Sequence, residues 1–331
     1  MSIKFLKAGS GDSILIQHKK YNVLIDGGND SNYLLSEIDK IYSKNESIDL
    51  LVITHHDDDH IRGIINFVKL VVEGNYGVGF IKKVFFNSPK MIMGTVPIPN
   101  EKLLSYTQSF ELEKLFIKLN LNWELCDEDT KSISFEDLKI DFLSPVAEDL
   151  KLYASKAGEH LSSMSRCDWT STMSELEKYI DDENQDISLP NRCSIVLSVE
   201  CELQRILLTG DVTPDRLELI VLKLLKEKGT DSIFFDYIKL PHHGSYRSLN
   251  RSIVEKIKCY NYIISTNSKK HYLPNKRALL KLVKFLRRDR EKIQFLFNYD
   301  DALQNLKITE KEKDLYNFKL TPNNRDYGVV I

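Results

Sequence analysis

Short apolar runs punctuated by Gly and Asp open the chain, and they predict alternating strands and helices. Ser13–Gln17 and Tyr21–Ile25 read as two strands around a Lys19-Lys20 turn. The second runs into Asp26-Gly27-Gly28, where glycine lets the backbone turn sharply. An amphipathic helix is predicted over Leu34–Ser43, a buried strand over Leu50–Ile53 and a helix over Ile61–Val72. Strands alternating with helices predict helices packed on a sheet.

The middle of the chain is less regular. Val84–Asn87 reads as a strand, Glu101–Leu119 as a helix, and Leu138–Leu143 as a strand closed by Ser144-Pro145. From Ala147 to about Pro190 the chain is polar, with an acidic stretch at Asp181-Asp182-Glu183. It reads as a partly helical insertion, and equally as a surface loop region. Strand signals return at Ser194–Glu200, Arg205–Leu208, Ser232–Leu240 and Tyr262–Ser265. A helix is predicted over Asn275–Arg288, with Leu279, Leu282, Val283 and Leu286 on one face and Arg277, Lys281, Lys284 and Arg288 on the other. Ile293–Asn298 and Tyr327–Ile331 read as closing strands. With no internal repeat or low-complexity linker, residues 1–331 are expected to form one domain carrying the insertion at about 147–190.

Composition narrows the class. The 331 residues are 42% hydrophobic and 28% charged, as expected of a globular chain with a real core. A net charge of −2 supplies no global basic field, so an anionic substrate would be captured by local charge. The five cysteines are odd in number and none is spaced as CxxC, which excludes a zinc ribbon and a disulfide framework. No run approaches the roughly 18 apolar residues of a membrane span, and no signal peptide is evident. The expected location is the cytoplasm.

The candidate chemistry is concentrated in histidine and aspartate. Five of the eight histidines fall in two clusters, His55, His56 and His60, then His242 and His243, and each cluster follows an apolar strand. Strand ends place polar groups at the rim of a sheet. Three carboxylates and three imidazoles within His55–His60 call for a neutralising cation. Residues two apart in a loop can face the same side, so His55 and Asp57 suit one ion, and Asp59 and His60 a neighbour. Asp58 or Asp59 alone also fits a helix N-terminus. Leu207-Leu208-Thr209-Gly210-Asp211 is a strand ending in a carboxylate able to bridge two ions. In Pro241-His242-His243-Gly244-Ser245 one imidazole is expected to ligate and the other to bond a substrate oxygen or protonate a leaving group. The mixed donor set suits Zn or Mn, with Mg possible.

The series Asp26-Gly27-Gly28, His55-x-Asp57-x-Asp59-His60, Thr209-Gly210-Asp211 and Pro241-His242-His243-Gly244-Ser245 resembles the metallo-β-lactamase superfamily. Its usual HxHxDH motif has Asp57 here in place of the second His. That variant, with Gly9-Ser10-Gly11-Asp12-Ser13 and Asn191-Arg192-Cys193-Ser194, resembles the branch containing the hydrolase domain of bacterial DNA-uptake channel proteins. The resemblance implies an αββα sandwich with the site at one edge of its two sheets. It implies that Asp26 supports the metal loop and that the Asn191 region replaces a third-motif histidine. Relatives often carry His-Pro after the last core strand, where this chain has Leu273-Pro274 with His271 two residues earlier.

The expected enzyme is a dinuclear metal-dependent hydrolase in which two ions activate a bridging hydroxide. Asp59, His242 and His243 are the catalytic candidates, and Lys239, Ser245, Lys269 and His271 the candidate phosphate contacts. Nucleic acid is the expected substrate, supported by Lys239, Arg247, Lys269, Lys270 and the stripe Arg277, Lys281, Lys284 and Arg288. That stripe reads equally as a solvated helix face. Tyr246, Tyr262 and Tyr272 suit stacking on bases and equally suit packing. The alternatives are a small-molecule hydrolase acting on a phosphoester, cyclic nucleotide or lactone, and a non-catalytic metal-binding subunit with a protein partner in a multi-component bacterial system.

Overall fold

A computed structural model describes residues 1–93, 104–155, 167–181, 184–286 and 291–331. The strands are β1 (Ser2–Leu6), β2 (Ile14–His18), β3 (Tyr21–Ile25), β4 (Leu50–Ile53), β5 (Val84–Phe86), β6 (Trp123–Glu124), β7 (Ile133–Phe135), β8 (Leu138–Ser144), β9 (Val196–Cys201) and β10 (Gln204–Leu208). They continue with β11 (Ile233–Phe234), β12 (Tyr237–Lys239), β13 (Ile257–Lys258), β14 (Asn261–Ile264), β15 (Ile293–Phe297), β16 (Phe318–Thr321) and β17 (Gly328–Val330). Seven form a sheet in the order β17-β1-β2-β3-β4-β5-β6, and eight a second sheet in the order β16-β15-β14-β12-β10-β9-β8-β7. In the first sheet β3, β4, β5 and β6 run parallel and the remaining pairs are antiparallel. In the second, β10, β12, β14, β15 and β16 run parallel, while β7, β8, β9 and β10 alternate.

Strand alternation explains why the sheets stack. Successive side chains face opposite sides, and here both sides are apolar. Ile14, Ile16, Val23, Ile25, Leu50 and Val52 meet Leu138, Ile140, Leu197, Val199, Ile206 and Leu208 between the sheets. Leu15, Leu24, Leu51 and Ile53 point the other way, into a core with the helices Asn32–Ser43 and Asp58–Val72. The second sheet buries its outer face under the helices Pro214–Lys228 and Lys276–Phe285. The result is the expected four-layer αββα sandwich, and the expected strands appear within a residue or two, with one exception.

Ser232–Leu240 is not one strand. β11 pairs only with β13, and β12 enters the large sheet beside β10. The break falls at Asp236, whose carboxylate accepts from Arg205 N at 2.7 Å while its own N–H donates to Arg205 O at 2.8 Å. Within 147–190 the described residues include helices Ala147–Ser155, Met173–Leu176 and the start of Leu189–Arg192. The helix Pro214–Lys228 was not read from the sequence. Its signals are nonetheless present: Thr213-Pro214 at the start, Gly229 in the left-handed region at the end, and Leu217, Ile220, Val221 and Leu224 on the buried face. No helix among the described residues is long and apolar enough to cross a membrane.

The cationic stripe needs correction. The helix after Asn275 is packed on both sides, so Arg277 and Lys281 are buried. Lys281 Nζ donates to Tyr246 O at 2.8 Å and Leu249 O at 2.7 Å, and the Arg277 guanidinium lies 3.5 Å from the Tyr246 ring centroid. Both cations hold the turn after the histidine pair rather than facing a ligand. Lys284 pairs with Glu177 at 2.8 Å, and Arg288 lies outside the described residues. Tyr246 and Tyr262 are buried packing residues, which excludes them from base stacking.

One close approach positions the first histidine cluster. Gly27 N donates to His60 O and Gly63 N to Gly28 O, each at 2.8 Å, so the first turns of helix Asp58–Val72 sit directly on the turn after β3. A Cβ at Gly63 would lie 2.0 Å from Gly27 O. Gly63→Ala gains about 1 kcal/mol of helix propensity, but overlap with a fixed carbonyl costs about 1–3 kcal/mol. Chemical denaturation should show a net loss of stability. An equal or more stable variant would show that the contact yields freely.

Candidate metal centre

The site forms where the loops after β4, β10 and β12 meet. Leaving β4, Thr54 and His55 are buried, and Asp57 precedes helix Asp58–Val72. Asp57 occupies the N-cap position, yet its side chain makes no cap hydrogen bond. Asp58 turns outward to Arg62, Gln108 and Lys270. Asp59 turns inward, its Oδ2 3.6 Å from His243 Nε2. His56 faces away from the cluster, its Nε2 3.3 Å from the Tyr153 hydroxyl.

Asp211 is the centre of the arrangement. Gly210 adopts φ +51°, and a Cβ there would lie 2.3 Å from Ser194 Oγ, the atom that accepts from Asp211 N at 3.1 Å. Asp211 Oδ1 is 3.4 Å from His60 Nε2, and Oδ2 lies 3.4 Å from His243 Nε2, 3.9 Å from His242 Nε2 and 4.0 Å from His55 Nε2. His55 Nε2 is also 3.7 Å from Asp57 Oδ2. The histidine pair reaches inward because His242 and His243 both take left-handed backbone conformations, φ 47° and 54°. Strained backbone of this kind concentrates at functional sites.

A second tier orients the first. Asp26 Oδ2 lies 2.8 Å from His60 Nδ1, and the same carboxylate accepts from Thr54 N at 2.8 Å and Thr54 Oγ1 at 2.6 Å. His243 Nδ1 is 3.0 Å from Ser265 O. His242 Nδ1 is 2.9 Å from Asp186 Oδ2, and Asn191 Nδ2 donates to that oxygen at 2.7 Å. Asn191 therefore stands behind His242.

Among the described residues, buried His55 Nε2, His60 Nε2, His243 Nε2 and Asp211 Oδ1 find no hydrogen-bond partner. An unsatisfied buried polar atom costs about 1–3 kcal/mol, so these atoms facing one centre fit a cation. The donor chemistry agrees, since imidazole and carboxylate together suit divalent metals. One donor atom each from Asp12, His60, Asp211 and His243 lies within 4.8 Å of the others.

Charge shapes the same pocket. Burial works to raise the Asp211 pKa, but His243, His60 and His242 hold it well below the usual range. Burial works to lower His60, and Asp211 and Asp26 outweigh it, so its pKa lies well above the usual value. His242 is raised in the same way by Asp211 and Asp186 against its burial.

Two expected phosphate contacts are corrected. Lys239 is fully buried, ion-paired with Asp12, 3.6 Å from Asp211 Oδ1 and bonded to Gly210 O at 3.0 Å, so it braces Asp211 from behind. Ser245 is buried, and its Oγ accepts from Arg247 N. Arg247, also named as a cation of the rim, is buried too, with a guanidinium N–H donating to Gln185 O at 2.6 Å. Lys269 and His271 are exposed on the 266–274 loop. Partial loss of hydration at its inner edge and the positive field of His242 hold the His271 pKa below the usual histidine range.

Asp12 stands in the Gly9–Ser13 motif without a site role assigned from sequence, and Asp186 has none either. Asp12 lies 3.5 Å from His243 Nδ1 and pairs with Lys239. Gly11 beside it lets this turn approach the metal loop, since a Cβ there would meet Asp59 O at 1.8 Å. Asp186 lies in the polar insertion, where no local pattern marks it.

Residues 6–120, about a third of the chain, match the family model described as the metallo-beta-lactamase superfamily. No curated protein matches the chain. Among solved structures it is similar to the metallo-beta-lactamase fold protein YhfI from Bacillus subtilis, at 9% identity and TM-score 0.42, over 100% of this chain and 98% of that one. Zn(2+)-bound PqqB from Methylobacterium extorquens shows 10% identity and TM-score 0.44, over 100% and 99% of the two chains. A diphosphatase from the PhnP family shows 14% identity and TM-score 0.39, over 80% and 85%.

Asp26→Asn keeps an acceptor for Thr54 and tolerates the left-handed backbone at φ 56°, but removes the negative charge behind His60. Metal affinity should fall about 10–100-fold by calorimetric titration, and unchanged affinity would show that Asp26 has no supporting role. The pH dependence follows from His243. Burial works to lower its pKa, but Asp211 outweighs it and raises the value to about 9. Its stabilisation of the metal-free protein is therefore complete below the ordinary value of about 6.5 and lost as pH rises through about 9. A metal competes with that proton, so metal affinity should climb over the same window. A flat profile would remove His243 from the ligand set.

Proposed function

We propose that this chain, which has the metallo-β-lactamase fold, is a dinuclear metal-dependent hydrolase of phosphodiesters, with nucleic acid as its substrate class. The observation that carries metal-dependent chemistry is the set of buried donors, without a hydrogen bond among the described residues, converging on Asp211. In this reading His55 and Asp57 would hold one ion, while His242 stands beside it unligated. Asp59, His60 and His243 would hold the other, and Asp211 would serve both. When bound, two divalent cations would polarise a phosphoryl oxygen and make water nucleophilic near neutral pH.

The chain's own groups do the rest. Asp26, Asp186 and Ser265 O fix the imidazole orientations. Asp12 and Lys239 hold the Asp211 carboxylate from behind. His242 is the most exposed of the imidazoles around Asp211 and the best placed to pass a proton to a leaving oxygen. The 266–274 loop offers phosphate contacts from exposed Lys269, Lys270 and His271, and exposed Tyr272 offers an aromatic face. Tyr272 meets Trp169 of the insertion edge to face, with ring centroids 5.8 Å apart.

A small phosphoester is the second reading. It is favoured by the burial of Lys239, Arg277 and Lys281, which leaves a shorter cationic rim than the sequence suggested. Salt separates the two, because a bound nucleic-acid backbone releases counterions and a small ester releases few. The purified protein should hydrolyse bis-p-nitrophenyl phosphate and single-stranded DNA, lose activity with chelator, and recover it with Mn or Zn. DNA cleavage should fall steeply with added salt while the small ester is spared. Asp59→Ala or His60→Ala should abolish turnover while circular dichroism stays native. Full activity in either variant, or recovery with neither metal, would sink the assignment.

A further inference from the structure

The rim of the sandwich away from Asp211 holds a separate donor set. β2 follows Asp12 and ends at His18, and β9 follows Ser194 and ends at Cys201. Both strands start beside the metal centre and finish together at the opposite end. Asp137 lies in the turn between β7 and β8. His18 and Cys201 are buried and Asp137 is exposed. Cys201 Sγ is 3.7 Å from His18 Nδ1 and 3.7 Å from Asp137 Oδ2. Asp137 Oδ1 is engaged by His18 Nε2 at 2.9 Å and by Lys19 Nζ at 2.9 Å, and Lys19 also pairs with Glu136.

We propose that a ring nitrogen of His18, the Cys201 sulfur and a carboxylate oxygen of Asp137 form a site for a borderline-soft divalent cation of the zinc class, distinct from the Asp211 centre, that ties the two sheets together at their far end. One donor atom from each residue lies within 4.8 Å of the other two. Tetrahedral zinc, with bonds of about 2.3 Å to sulfur and about 2.0–2.1 Å to nitrogen, separates those donors by about 3.6 Å. The sulfur favours zinc over the hard ions Mg and Ca. Burial and the Asp137 carboxylate both push the Cys201 thiol up, and a bound cation removes that proton. The exposed flank of Asp137 leaves the fourth position to water. The competing description is a hydrogen-bonded triad, since 3.7 Å is also within reach of a thiol donor.

Cobalt(II) separates the two descriptions. The Asp211 centre offers only nitrogen and oxygen donors, so a thiolate-to-cobalt charge-transfer band reports Cys201 whatever happens at that centre. The full chain titrated with cobalt should develop the band, and zinc should abolish it. Cys167→Ala, which removes the exposed thiol, should keep the band, and Cys201→Ala should lose it. Asp137→Asn, at an exposed position that spares the fold, should weaken cobalt affinity at least about tenfold and so decides the matter if Cys201→Ala does not fold. Absence of the band in the unaltered chain, its survival in folded Cys201→Ala, or unchanged affinity in Asp137→Asn would overturn the site.

Discussion

A buried carboxylate cannot stay ionised without neighbours that repay its lost hydration, and Asp211 is such a group. It is almost fully buried, ringed by imidazole nitrogens and backed by the ammonium of Lys239. Lys239 is buried as well and depends on Asp12. The charges are therefore arranged in shells, each making the next tolerable, with the remaining unpaired lone pairs aimed at a common centre. Truncating an inner member would leave its partner stranded, which is why the Asp12 and Lys239 pair matters as much as the residues that face the cleft.

The sandwich makes this convergence possible. Most inner donors sit at or just beyond a strand end, while Asp59 and His60 sit in the first turn of helix Asp58–Val72, so rigid sheets and that helix set their direction. The first sheet delivers His55, Asp57, Asp59 and His60 after β4, the second delivers Asp211 after β10 and the histidine pair after β12. Contacts that cross between the sheets hold the two halves in register at this edge. Ile195 N donates to Thr54 O, and a Cβ at Gly210 would lie 3.3 Å from Thr54 Cβ. Small residues at Gly11, Gly27, Gly63 and Gly210 permit approaches that any side chain would block.

The polar excursion between β8 and β9 takes part in the site. Asp186 orients His242, Trp169 supports the rim through Tyr272, and Tyr153 packs on His56 behind the metal loop. The surroundings of His242, Tyr272 and His56 are thereby tied to a segment with little secondary-structure signal of its own. It also explains the shorter cationic rim: Lys276, Arg277 and Lys281 are consumed in holding this segment and the turn after the histidine pair.

Local chemistry was enough to read much of the molecule from its residues. Two-sided apolar strands meant stacked layers, and clustered His and Asp at strand ends pointed to a candidate cation site, which the fold gathers around Asp211. The helix Pro214–Lys228 was equally legible, with a Pro start and a Gly stop, though it went unread. What the sequence leaves open is direction. Lys281 and Arg277 share a helix face with Lys284, and only packing turns the first two inward. Lys239 resembles any cation at a strand end until Asp12, distant in sequence, is found against it. Asp186 and His242 meet only because a long connection returns to the cleft. Residue type and spacing specify which groups are available, whereas partnership between distant groups depends on the relative placement of sheets and loops, which tertiary structure alone decides.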